Sequence, residues 1–230
     1  MKKPVMVALM VLLATMLGAF ADQWAFDHLF VADVYGRHEW AQCLKDLGTL
    51  YPWLAAAVLV FLLENRRQAG LDAAPWPEAL RRALRVVLSP TVAGALTAVV
   101  KLVVRRPRPP RDGHSPIVHL FDVVGNLFRP GAFTHDAWMN VTVDNSFPSG
   151  HTTVSFAAAF ALARLYSRTA WVWYALAAGC ALTRVMDRAH HLSDVVFAAG
   201  VGWFAAAMVA WGTRKSGERF DAWCGRRRLG

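Results

Sequence analysis

Charged side chains are scarce in this 230-residue chain. Asp, Glu, Lys and Arg make up 18% of it and hydrophobic residues 56%, where ordinary soluble domains carry about 25% and about 45–50%. Cysteine is scarcer still: Cys43, Cys180 and Cys224 are the only three, too few and too dispersed for a disulfide scaffold. No heptad, triplet or longer repeat recurs, which excludes coiled coil and collagen, and the apolar content excludes disorder. Acidic residues are also few, 16 against 25 basic ones, giving a formal net charge of +9. In a soluble protein that excess would suggest nucleic acid. In a chain this apolar it points first to basic cytoplasmic loops and an anionic ligand, and no nucleic-acid partner is expected.

What the chain has in abundance is apolar runs. Six can be read: about Pro4–Ala21, Leu47–Leu63, Ala83–Val104, Ser149–Tyr166, Ala170–Met186 and Leu192–Trp211. Several hold only ~17–18 residues, near the lower limit for crossing a ~30 Å hydrocarbon core. None alternates as a barrel strand would, and backbone groups in lipid must be satisfied within the segment, so helices are expected. The predicted fold is all-α, a polytopic bundle of six transmembrane helices forming one domain over residues 1–230. The first run has a second reading: Lys2 and Lys3 before it and Ala19-Phe20-Ala21 at its end also fit a signal peptide.

Lysine and arginine set the orientation. Lys2, Lys3, Arg66, Arg67, Arg81, Arg82, Arg85, Arg168 and the basic tail of residues 213–230 all fall on one side of a six-span threading. That side is read as the cytoplasm. Arg105, Arg106, Arg108 and Arg111 break the pattern by following the third span on the outer side. Such crowded cations are tolerable around an anion, and the excess hints at a ligand with more than one anionic group. The outer loop of residues 105–147 is the long polar stretch between the third and fourth spans. It reads as a lid or surface segment with a short amphipathic helix around Ile117–Phe128.

Three clusters on the outer side carry chemistry. Lys101 and Arg108 are seven residues apart, about two helical turns, so both can share one face near the outer end of the third span. Lys101 could also simply snorkel to the interface. Pro148-Ser149-Gly150-His151 opens the fourth span. There Ser149 suits an N-cap, Gly150 permits close approach to the backbone, and the helix N-terminus favours an anion. In the third cluster, Thr183-Arg184 precedes His190-His191 and Asp194. His190 and Asp194 are i and i+4 and can pair on one face, while His191 and Asp194 at i, i+3 form the rival pair. A carboxylate holding one imidazole nitrogen leaves the other as nucleophile or base. Cations, a helix N-terminus and two histidines on one membrane face are what phosphoryl transfer needs. No cluster has the ligand set of a metal site, and none is expected.

The ordered pattern K-x6-R-P, P-S-G-H and T-R-x5-H-x3-D, spread over residues 101–194, resembles the type 2 phosphatidic acid phosphatase superfamily. Thr183 stands where that family usually has Ser. The resemblance implies a metal-independent, cofactor-free membrane phosphatase with its site on the periplasmic face of a bacterial inner membrane. Its partner would be a phosphorylated lipid: phosphatidic acid, phosphatidylglycerol phosphate, undecaprenyl diphosphate or a lipid A phosphate. His190 would be the nucleophile that forms a phosphohistidine, Asp194 its orienter, and His151 the general acid. Lys101, Arg108, Ser149, Gly150 and Arg184 would hold the phosphate. Two alternatives use the same residues or fewer: transfer of the phosphate to another lipid, and non-catalytic binding of anionic lipids. The soluble haloperoxidases that share such an anion pocket are excluded by the apolar spans.

Overall fold

A computed structural model describes residues 3–68, 77–111, 117–127 and 145–227. They are helical, and the one β-feature among them is an isolated bridge between Pro107 and Asn145. In chain order the helices are α1 (Lys3–His28), α2 (Val34–Arg37), α3 (Glu39–Asp46), α4 (Tyr51–Gln68), α5 (Pro77–Val104), α6 (Leu120–Leu127), α7 (Gly150–Leu165), α8 (Ala170–Met186) and α9 (Leu192–Arg227), with a 3-10 turn at Ser167–Thr169. Each of the six apolar runs lies largely within one of the long helices α1, α4, α5, α7, α8 and α9. The short helix expected at Ile117–Phe128 is α6. The Ala19-Phe20-Ala21 segment lies inside α1, which continues two turns beyond it. Of the expected outer loop, residues 112–116 and 128–144 lie outside the described residues, as do the side chains of the tail from residue 216 onward.

By length and apolarity, Val5–His28, Glu78–Val104 and Leu192–Lys215 can each cross a membrane. Glu39–Asp46 and Tyr51–Asn65, bent by 67°, add a fourth if taken together. The helices α7 and α8, with 16 and 17 residues, sit at the short end of what a bilayer requires. Their shortness goes with burial. α7 is the central helix, packed against α5, α8 and α9, and its Ala157, Ala158, Ala159, Ala161 and Ala163 are all buried. Small residues let backbones approach where lipid supplies no hydrophobic drive. A Cβ on Gly202 of α9 would stand 2.8 Å from the Thr153 carbonyl oxygen and 2.9 Å from the Ala157 nitrogen of α7. The large apolar side chains instead face outward: Leu9, Met10, Leu13 and Leu17 on α1, Val58, Leu59 and Leu62 on α4, and Phe204 and Met208 on α9 are exposed. Together these features make the chain an integral membrane protein.

The two ends of α5 are chemically distinct. At the N-terminal end Arg82 pairs with Glu64 of α4 at 2.9 Å and with Glu78 at 3.0 Å, and Tyr166 donates to Glu64 at 3.1 Å. Lys101 lies ~28 Å further along the helix at ~1.5 Å per residue, about one hydrocarbon thickness away. There a dense polar cluster forms around Lys101, Arg106 and Asp194.

Candidate active site

The cluster begins with a buried ion network. Arg106 is fully buried and donates to Asp194 at 2.8 Å, to Asp22 at 2.9 Å, to Ser193 Oγ at 2.8 Å and to the Val118 carbonyl at 2.8 and 3.0 Å. Asp22 in turn accepts the Ser193 backbone N–H at 2.8 Å and its hydroxyl at 2.7 Å. One guanidinium therefore joins the C-terminal part of α1, the segment before α6 and the first turn of α9. Burying charges is tolerable only with partners of this quality. The sequence-based expectation is corrected here for Arg106: it does not belong to the cation excess that hinted at a second anionic group, because its charge is matched by Asp22 and Asp194.

A short backbone clip positions the histidines. The Ser146 N–H donates to the Arg106 carbonyl at 2.6 Å, and Lys101 Nζ donates to the Asn145 carbonyl at 2.8 Å. This fixes the Ser146 carbonyl 2.7 Å from His190 Nδ1. A carbonyl only accepts, so Nδ1 carries the proton and the lone pair lies on Nε2. Asp194 Oδ2 is 3.8 Å from His190 Nδ1 but 3.1 Å from His191 Nδ1, and it also accepts the His191 backbone N–H at 2.8 Å. Of the two pairings open in the sequence, the hydrogen-bonded one is His191–Asp194. His190 feels Asp194 as a charge and takes its tautomer from Ser146. The Nε2 of His191 is buried without a partner.

His190 lies in the turn between α8 and α9, where its backbone N–H donates to the Arg184 carbonyl at 3.2 Å. Burial pushes its pKa down; the Asp194 carboxylate opposes this, Arg184 and Lys101 add to it, and the result is about 4. The imidazole is neutral at neutral pH. Arg184 is almost fully buried. It donates to the Tyr35 hydroxyl at 2.8 Å, lies 4.0 Å from Asp187, and keeps its Nε without a partner. The Tyr35 hydroxyl donates to the Thr183 carbonyl at 3.0 Å, and burial pushes its pKa up.

The α7 N-terminus joins the same cluster. Ser149 takes the N-cap position with extended backbone, φ −71° and ψ 112°. Its hydroxyl accepts from Thr152 at 2.9 Å and makes no capping bond to the helix backbone, so the first N–H groups of α7 are not capped by it. A Cβ on Gly150 would meet only Thr97, at an ordinary 3.8 Å; no protein atom demands glycine there. His151 is within electrostatic reach of Arg184, His190, Lys45 and Lys101, and Lys101 within that of Arg108, Asp194 and Arg184. The predicted residues Lys101, Arg108, Ser149, Gly150, His151, Arg184, His190 and Asp194 thus gather at one end of the bundle.

Sequence reasoning missed Asp22, Ser146, Ser193, Tyr35, Lys45 and Gly48. Asp22 could have been found, since it ends an apolar run and no unpaired carboxylate belongs at that depth. The last three come from α2, α3 and the turn that follows α3, which carry no motif. Gly48 lies against His151: a Cβ there would collide with the histidine Cβ and stand 2.6 Å from its Cα. Among the described residues no three His, Cys, Asp or Glu side chains group closely enough to hold a metal ion.

A helical membrane protein that gathers several cations, a helix N-terminus and a tautomer-locked histidine at one end of its bundle has the groups that suit an anion. Residues 82–218 match the PAP2 superfamily, and the chain belongs to that family. It is 31% identical to a lipid A 1-phosphatase of Rhizobium etli over 195 residues, 77% of this chain and 75% of that one. It is also 35% identical over 69 residues to the bacitracin transport permease protein BcrC of Bacillus licheniformis, a match spanning 30% of this chain and about a third (34%) of that relative's length. The fold is similar to that of a solved transmembrane PAP2-type phosphatidylglycerolphosphate phosphatase from Bacillus subtilis. The TM-score is 0.58 and the identity 19%, covering 94% of this chain and 98% of that one.

Proposed function

We propose that this protein is a metal-independent lipid phosphatase with its site on the outer face of a bacterial inner membrane. In this reading the bundle crosses six times, both chain ends are cytoplasmic, and the Arg82–Glu64 network marks the inner surface. The observation that carries it is the lock on His190: the Ser146 carbonyl at 2.7 Å holds the Nδ1 proton, leaving a neutral Nε2 as nucleophile beside Lys101 and Arg184. Nε2 attacks phosphorus while the bond to the lipid oxygen breaks, and His151 gives that oxygen a proton. Lys101, Arg108, Arg184 and the uncapped N–H groups of α7 hold the phosphoryl oxygens and stabilise their growing charge. Gly150 leaves room for that approach. Water then attacks the phosphohistidine, His151 takes its proton, and inorganic phosphate leaves with His190 restored.

The relatives' names, a lipid A 1-phosphatase and a phosphatidylglycerolphosphate phosphatase, support a lipid substrate with a terminal phosphate. The experiment is phosphate release by purified protein in detergent from a panel of lipid phosphates, with and without EDTA. Release that survives EDTA and vanishes in folded His190→Ala and Arg108→Ala variants supports the reading. Full activity in His190→Ala, or loss with EDTA that Mg²⁺ restores, overturns it.

A further inference from the structure

The α2–α3 segment places an unclaimed cation at the site. Lys45 lies in the last turn of α3, where its Nζ stands 4.5 Å from the centroid of the Tyr35 ring and donates only a long 3.5 Å hydrogen bond to Gln42. No carboxylate pairs with it among the described residues; the neighbouring Asp46 accepts instead from Gln42 at 2.9 Å. The opposite edge of the same tyrosine binds Arg184 through its hydroxyl, so two cations flank one ring. The position is anchored: the Gly48 N–H donates to the Lys45 carbonyl at 2.8 Å, Gly48 is wedged against His151, and Leu44 packs over Gly179 of α8.

A half-buried ammonium held over an aromatic face, with no anion of its own, is an incomplete arrangement. Its location says which anion fits. Gly48, bonded back to the Lys45 carbonyl, lies directly against His151, and Lys45 acts on His151 together with Arg184 and Lys101. In an in-line displacement the nucleophile and the acid lie on opposite sides of phosphorus. A cation beside His151 therefore faces the leaving group. We propose that Lys45 is a specificity-determining residue that binds a second phosphate on the leaving-group side, so that the site favours a lipid diphosphate over the monophosphate with the same tail. This rests on the phosphatase reading with His151 as the acid. In the diphosphate reaction the terminal P–O bond breaks, the lipid monophosphate departs with its bridging oxygen, and Lys45 neutralises charge that a lipid alcohol would not carry.

The test compares prenyl diphosphate and prenyl monophosphate of one chain length in mixed micelles, with wild type, Lys45→Gln and Lys45→Arg. Wild type should prefer the diphosphate. Lys45→Gln should lower kcat/KM for the diphosphate at least tenfold and for the monophosphate less than threefold, and Lys45→Arg should restore the preference. A merely structural lysine would lower both substrates equally, and that result overturns the inference, as does an unchanged ratio or a wild type that favours the monophosphate. Failure of the phosphatase reading looks different: wild type then releases phosphate from neither lipid.

Discussion

Arg106 donates to Asp194 across 2.8 Å with both side chains fully buried, and the same guanidinium reaches Asp22 on α1 at 2.9 Å. The carboxylate nearest the two histidines is thus fixed by a residue that the phosphate itself does not need. Removing one member of a buried pair strands the other charge. Arg106→Met should lower stability by about 3–5 kcal/mol, read as a lower unfolding temperature in detergent. Asp22→Asn should cost less, because Asp194 still pairs with the arginine. Equal melting of Arg106→Met and wild type would refute this.

The two adjacent histidines should separate by function. His190→Gln is expected to remove activity while the protein stays folded, since its Nε2 is assigned the attack on phosphorus. His191→Gln should retain measurable turnover but melt earlier, because His191 makes the direct bond to Asp194 at 3.1 Å. Phosphate release and thermal unfolding of both variants decide the matter, and the reverse pattern would exchange their roles.

Gly48 has a steric duty. In Gly48→Ala the new methyl must displace the His151 backbone or ring, because it would stand 2.6 Å from the histidine Cα and from Cδ2. General acid–base groups contribute about 10²–10⁴-fold, so His151→Ala should lose a factor in that range. Gly48→Ala should lose a substantial part of it with its helix content unchanged by circular dichroism. Full activity in Gly48→Ala would show that His151 tolerates displacement.

Acid should act through His190. Its pKa is lowered from 6.5 to about 4, so the nucleophile stays neutral well below pH 6 and the acid limb of kcat/KM due to it should lie near pH 4. The stability effect has a definite sign. Between pH 6.5 and about 4 the unfolded chain binds a proton at this position and the folded one does not. Stability therefore falls as pH drops through that window, by on the order of 3 kcal/mol, and is fully present above it. His190→Gln should flatten this part of the melting-temperature profile.

Much of this protein is written in its local sequence. The apolar runs announced the helices because a membrane helix satisfies its own backbone and needs only length and apolarity to be recognised. Ala170–Met186 coincides with α8 to the residue, and Leu192 opens α9 as expected. The spacings Lys101 to Arg108, Ser149 to His151 and Arg184 to Asp194 likewise name candidate site residues, because each cluster is confined to a few turns of chain. Contacts between segments far apart in the chain were settled by packing. Whether Asp194 bonds His190 or His191 depends on a rotation of the turn entering α9, and the Ser146 carbonyl, brought by the clip to Arg106, captured His190. Asp22, Tyr35, Lys45 and Gly48 became neighbours of the site only when α1 and α3 docked on α9 and α8, since a charge or a missing Cβ acquires a role only from the group placed opposite it in space.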